Sequence, residues 1–186
     1  MIKYCLSLMV LSFSLFTSAA SLDELKAITS TPNTLSGTFT QAKYLAQLDT
    51  SLRSTGEFHY LRDKEITWHT LTPIDSRLKL TPETMSNYQN GKQVNKMDSG
   101  SNPVVAILSD IFFAVMTAQW QVLETYFTVN TKVADRQWQA TLTPLNANIG
   151  SFANKIILQG DQYLRHITLY EAEGNRTQID FSQLQP

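Results

Sequence analysis

The chain has 186 residues, 42% of them hydrophobic, with 15 Lys and Arg against 16 Asp and Glu and a formal net charge of −1. A chain of this length suits one domain with a sizeable core. The near balance of charge lacks the basic excess of a nucleic-acid binder, so no nucleic-acid partner is expected.

Met1-Ile2-Lys3 carries one positive charge, Tyr4 to Phe16 is almost without polarity, and Ser18-Ala19-Ala20 forms a small-x-small site. An apolar run too short to span a bilayer, set between such flanks, reads as a secretory signal peptide. We expect residues 1–20 to be removed after Ala20 and residues 21–186 to form a single domain. Cys5, the one cysteine, leaves with the signal and precedes the apolar run, so it is no lipidation site. No second apolar run reaches the roughly 18 residues of a membrane span. A soluble exported domain without disulfides is the expectation.

Ser21 to Ile28 reads as a short helix, with Ser21 as cap, Glu24 three residues on, and Leu22, Leu25 and Ile28 on one face. From Ser36 to Leu48 the period changes to two, and Phe58 and Tyr60 alternate with Glu57 and His59 as in a strand. Further strands are expected at Ile66–Leu71, Arg77–Thr81 and Met85–Gln89, with turns at Thr72-Pro73 and Gln89-Asn90-Gly91. Asn102 and Pro103 then mark a helix start. Val104, Ile107, Leu108, Ile111, Phe112 and Val115 fall on one apolar stripe at helical period. After Trp120 strands are expected again, at Tyr126–Val129, Gln137–Thr143, Lys155–Gln159, Leu164–Ala172 and Thr177–Phe181. The sum is a mainly β chain, an antiparallel meander of about ten strands interrupted by an apolar helix. A sheet of that size curls. If it does not close, the helix at 103–117 is the candidate cover for its concave face. By pattern alone, the plainer reading that this helix completes a core has the better claim.

The sequence offers no chemistry. His59, His69 and His166 have no metal-ligand spacing, and His59 and His69 share the outward parity of their strands. G-x-S-x-G, H-E-x-x-H, phosphate-loop and EF-hand patterns do not occur. Glu171 and Glu173 flank a hairpin turn and read as solvent-exposed, and Asn175-Arg176-Thr177 is a weak glycosylation match in the same turn. No enzyme, metal or cofactor is expected. Arg62 stands beside the apolar positions Phe58, Tyr60, Ile66 and Trp68. Either its charge is buried with hydrogen-bonded compensation, or its stem lies on the apolar surface with its head in water.

Gly37-Thr38-Phe39-Thr40-Gln41, Gly56 with Phe58, Arg62-x5-Trp68-x4-Pro73 and Trp138-Gln139-Ala140-Thr141-Leu142-Thr143-Pro144 follow one another in an order that resembles the LolA/LolB-like family of lipoprotein and lipid carriers. That family has F-x-Q on its first strand, a glycine before a hydrophobic strand, R-P-x-x-F-x-W, and a strand ending in L-x-P. The chain looks like a divergent LolA-like member: Asp63 stands where the family has proline, Ile66 where it has an aromatic, and the D-G-x-x-L-W-x-Y signature is missing.

The resemblance implies an incomplete, strongly curved antiparallel β-barrel of about ten or eleven strands, with helices covering the concave face. It implies a periplasmic carrier that binds the acyl chains of a lipoprotein or other lipid and passes it from inner to outer membrane. An inner-membrane exporter as donor and an outer-membrane acceptor are the implied partners, and a monomer is expected. The cargo-binding positions are then Phe58, Tyr60, Ile66, Trp68, Leu78 and Leu80 on strands, with Ile107, Ile111, Phe112 and Val115 on the helix. Arg62 matches the arginine that holds the helical lid to the barrel. The alternative is a periplasmic binding or assembly module of a lipid-export system with no lipid cargo of its own.

Overall fold

A computed structural model describes residues 22–30, 32–98, 100, 103–151, 153–171 and 173–186, without the side chains of residues 103–106 and 108. The expected caps Ser21 and Asn102, the signal segment, and Ala172 as a strand end lie outside those residues, as do the side chains of the stripe positions Val104 and Leu108.

Helix α1 (Leu22–Ile28) buries Leu25 completely and closes with the Thr29 hydroxyl donating to the Leu25 carbonyl at 2.9 Å. Strands β1 (Thr34–Leu45), β2 (Thr50–Leu61), β3 (Glu65–Thr72), β4 (Ser76–Leu80), β5 (Thr84–Gln89) and β6 (Lys92–Asp98) follow as a meander. After helices α2 (Pro103–Met116) and α3 (Trp120–Tyr126) come β7 (Phe127–Ala134), β8 (Gln137–Pro144), a short α4 (Ala147–Gly150), β9 (Lys155–Gly160), β10 (Leu164–Tyr170) and β11 (Arg176–Gln185).

All eleven strands form one antiparallel sheet in the order β6-β5-β4-β3-β2-β1-β11-β10-β9-β8-β7. The first and last strands of the chain therefore meet in the middle, and β6 and β7 are left as the two unjoined edges. The connection between those edges carries α2 and α3, with α2 against β5 and β6 and α3 against β7. Chain order thus places the helix pair across the gap that an open barrel leaves, where apolar side chains of both can be taken out of water.

Curvature is built at glycines facing aromatics. Phe39 pairs with Gly56 across β1 and β2, and Trp138 pairs with Gly160 across β8 and β9. A Cβ on Gly56 would run into the His69 carbonyl and come within 2.7 Å of the Phe39 ring. One on Gly160 would meet the Tyr163 carbonyl and the Trp138 ring at 2.7 Å. An aromatic laid over a bare backbone lets the strand bend sharply while still covering its amides.

Several sequence expectations shift. The first strand ends at Leu45, because Ala46–Leu48 coils into a 3₁₀ turn closed by Asp49 with φ of 44°. Strand β6 was missed: Lys92 to Asp98 is exposed on nearly every residue, so an edge strand left no apolar alternation to read. The strand expected from Tyr126 begins at Phe127, and an unexpected helix, α3, precedes it. Ala118, at φ 53°, breaks the α2 helix, and the chain re-enters a helix in which Trp120 and Leu123 are buried. That seven-residue element is too short for the helical period to declare itself. Helix α4 was also missed. Asn146 caps it, accepting from the Ile149 amide at 3.1 Å. Glu171 is no solvated turn residue: its carboxylate accepts from Lys43 at 3.1 Å and from the Thr177 hydroxyl at 3.0 Å. Asn175, of the sequon, accepts from the Ala46 amide at 3.0 Å and ties the β10–β11 turn to the 3₁₀ turn.

Candidate functional site

The candidate site is the concave face of β2, β3 and β4 together with the α2 helix that lies on it. Registers bring the strand positions together: Phe58 faces Trp68, which faces Leu78, and Tyr60 faces Ile66, which faces Leu80. Alternation at period two sends all six to one side of the sheet. Tyr60, Ile66 and Leu80 are at most 1% exposed and Phe58 is 3% exposed, whereas Trp68 and Leu78 are only partly covered. Burial therefore fades along the strands, from the row of Tyr60, Ile66 and Leu80 to the row of Trp68 and Leu78.

Helix α2 supplies the other wall. Its Val115 belongs to the buried core, and Ile107, Ile111 and Phe112 are partly buried against that core. Phe112 meets Trp68 edge-on, and Phe113, which the apolar stripe omitted, meets Tyr60 with 6.4 Å between centroids. Phe113 thus packs inward beside the stripe, because so much of α2 faces protein that one stripe of its circumference does not cover the contact. Trp68 also stacks on Phe39 at 3.9 Å and meets Phe181 at 5.8 Å, so the aromatic cluster continues onto β1 and β11. Phe39 and Phe181 were legible as strand apolars, but nothing local joined them to Trp68.

Two hydroxyls interrupt this lining. Tyr60 Oη and Ser109 Oγ are buried, and neither makes a hydrogen bond of good geometry among the described residues. Burial, helped by the Asp63 carboxylate, pushes the Tyr60 phenol up, while Arg62 pulls it the other way. Ser109 is 1% exposed on α2, so the helix seats a polar atom in an apolar surface, at a cost.

Arg62 follows the last residue of β2. Its Nε donates to the Pro32 carbonyl at 3.3 Å and its backbone amide donates to the Asn33 carbonyl at 2.9 Å. Both bonds go to the α1–β1 connection. That connection leads to α3 through Thr29, whose hydroxyl accepts from Trp120 Nε1 at 3.4 Å. Trp120 in turn meets Trp138 edge-on at 5.2 Å.

Tyr126 and Asp110 join the two helices: the phenol donates to Oδ2 at 2.8 Å. Burial first, then the hydrogen bond and charge of Asp110, push the Tyr126 phenol up to about 12. On the convex face lies a groove of about 380 Å³ lined by Glu57, His59, His69 and Arg77 among others. There His69 donates from Nε2 to Asp75 at 2.9 Å and its Nδ1 accepts from Arg77 at 3.5 Å. Among the described residues no group of three or more His, Cys, Asp and Glu could hold a metal ion, and no helix is long and apolar enough to cross a membrane.

The family described as "Outer membrane lipoprotein carrier protein LolA" matches residues 30–186. Among solved structures, a LolA superfamily protein from Nitrosomonas europaea is similar at 8% identity, with 88% of this chain and 90% of that chain covered and a TM-score of 0.46. The MucA/MucB complex of Pseudomonas aeruginosa matches at 15% identity over 88% of this chain and 56% of that chain, with a TM-score of 0.46. An outer membrane lipoprotein-sorting protein domain from Vibrio parahaemolyticus matches at 11% identity over 88% and 89%, with a TM-score of 0.41. No curated protein sequence matches the chain.

Proposed function

This chain belongs to the LolA family of outer membrane lipoprotein carrier proteins, and from that membership we propose that it is a soluble periplasmic carrier of acylated cargo. The cargo's acyl chains take the concave face of β2–β4, and α2 is the part that gives way. The observation that carries this reading is the seat of α2. The helix covers an aromatic face through Ile107, Ile111 and Phe112, none of them fully buried, and it buries Ser109 Oγ without a hydrogen bond among the described residues. An interface of that kind is cheap to open.

The energetics suit a carrier that does no covalent chemistry. An acyl chain of about 16 carbons gains on the order of 12 kcal/mol on leaving water, at roughly 0.8 kcal/mol per CH₂. Part of that gain is spent displacing α2 from Trp68 and Tyr60, so net affinity is lowered to a level at which an acceptor can win the cargo. Arg62, bonded to the segment that follows α1, biases the balance toward the covered state. Lipoprotein is the cargo that the family description supports, with an exporter in the inner membrane as donor and an outer-membrane acceptor.

The test is native mass spectrometry with lipid extraction, on protein purified from the periplasm of its own cell. We expect an acylated species to travel with the protein and to be lost from a Trp68→Gln/Leu78→Gln variant of the concave face that keeps its fold. A clean ligand-free mass, with no uptake of fatty acid or lipopeptide, would leave the fold without a carrier's role and point to protein partners instead.

A further inference from the structure

The strands have two ends, and exposed apolar side chains gather at one of them. The turns 46–49, 73–75, 90–91 and 145–146, and the starts of β2, β4, β6, β9 and β11, share that end, as the antiparallel registers require. Among the described residues, the large hydrophobics left exposed are Leu48, Leu52, Leu71, Ile74, Val94 and Leu145, each at least 44% exposed. All six lie in those turns or within three residues of a strand terminus at that end, and none lies at the other. The β1–β2 hairpin, with Leu48 and Leu52, extends past the end of β3, because β3 ends opposite Thr55 while β2 begins at Thr50. Single exposed leucines need no explanation, but a whole set confined to one rim does.

The charges of the same rim are arranged unequally. Its carboxylates are largely engaged: Asp49 accepts from Tyr44, Asp75 from His69 and Glu171 from Lys43, with Glu173 exposed beside them. Arg53, Lys92 and Arg176 are exposed there, and none of the three is in an ion pair among the described residues. Basic heads between apolar tips fit a surface that is anionic at its face and hydrocarbon just beneath it. The hollow opens toward this rim as well. On the concave face, Tyr60, Ile66, Leu80 and Phe58 are covered, Trp68 and Leu78 are partly covered, and Leu52, further along β2 on the same parity, is exposed.

We propose that this rim docks the protein, reversibly, on the interface of an anionic bilayer, with the leucine and isoleucine tips entering the headgroup layer and Arg53, Lys92 and Arg176 meeting lipid phosphates. The open end of the concave face is then turned to the acyl layer. The docking stands apart from carriage, since a chain that carried nothing would still partition.

The experiment is vesicle flotation of the protein as its producing cell accumulates it, with the N-terminus fixed by intact mass. Phosphatidylglycerol–phosphatidylethanolamine vesicles are compared with phosphatidylcholine vesicles. We expect binding to the anionic vesicles that weakens with salt. It should fall at least ten-fold in Leu48→Ser/Leu52→Ser/Leu71→Ser/Ile74→Ser and several-fold in Arg53→Gln/Lys92→Gln/Arg176→Gln, with unchanged circular dichroism in both. Wild-type protein that ignores anionic vesicles, or variants that partition as the wild type does, would overturn the proposal. So would leucine-dependent dimerisation in sedimentation velocity without vesicle binding, which would make the rim a contact between copies. Lipid retained in the mass spectrum of a protein that ignores vesicles would overturn docking while leaving carriage intact.

Discussion

Phe112 meets the indole of Trp68 edge-on, with 6.0 Å between ring centroids and 87° between ring planes. The contact joins α2 to β3 at the place where the concave face begins to open, and both rings are only partly buried. Removing the Phe112 ring should therefore loosen the helix more than it harms the core. Partial burial of a phenylalanine contributes on the order of 1.4 kcal/mol, equivalent to about ten-fold in an equilibrium. Phe112→Ala is expected to bind a fluorescent long-chain fatty acid about ten-fold more tightly, with thermal unfolding lowered by only a few degrees. Affinity that stays level or falls, measured by titration, would mean that α2 does not compete with the ligand.

The bend at Gly56 should tolerate no side chain. A Cβ there meets the His69 carbonyl, a backbone atom that cannot swing away, as well as the Phe39 ring. Overpacking of this kind costs about 3 kcal/mol, or roughly 6–12 °C in Tm for a domain of this size. Gly150, at the end of α4, has nothing within 4 Å of its would-be Cβ and no positive φ. Gly150→Ala is the matched control, expected to change Tm by less than about 2 °C. Calorimetry on the pair decides whether the curvature rests on the Phe39–Gly56 pairing.

What the sequence made legible follows from how locally each feature is encoded. Phe58, Tyr60, Ile66 and Trp68 alternate at period two, so their common face was readable, and the turn at Asn90-Gly91 declares itself by two residues at positive φ, 49° and 76°. The meeting of Phe39 and Phe181 with Trp68 was not readable, because it depends on β11 returning to pair with β1, a fact of topology rather than of any window. Helix α3 hid for a related reason. Its start is set by Ala118 in the left-handed region and by the docking of Trp120 on Thr29 and Trp138, neither of which leaves a periodic trace. Arg62 was picked out by motif, yet its partner, the Pro32 carbonyl, is a backbone atom 30 residues earlier. No residue type announces an acceptor of that kind.

Arg62→Leu tests whether that bond biases the helices. Losing the bond to Pro32 and the pull on the Tyr60 phenol, with the apolar stem kept, should lower stability by about 1–2 kcal/mol. The α1–β1 connection is then freed, and through Thr29 and Trp120 so is the base of α3. We expect fatty-acid affinity and cargo transfer to change by several-fold, more than Arg62→Lys changes either. A large drop in Tm with transfer unimpaired would make Arg62 a folding residue only.

The Tyr126–Asp110 bond gives a pH dependence with a definite sign. Burial and Asp110 hold the phenol at about 12 in the folded chain, above its ordinary 10.0. In the unfolded chain the phenol ionises first, so the stabilisation is fully present below pH 10, falls between about pH 10 and 12, and is gone above that. Solvent screening at this partly exposed site reduces the effect to on the order of 1 kcal/mol. Tyr126→Phe should lack that loss, so the stability gap between wild type and variant narrows as pH rises through the window. Because the bond ties α2 to α3, uptake of an apolar dye by the wild type should rise over the same range and stay flat in Tyr126→Phe. Parallel alkaline curves for the two proteins in urea titration would show that the phenol carries no such linkage, and dye uptake that tracks global unfolding would separate the clasp from the lid.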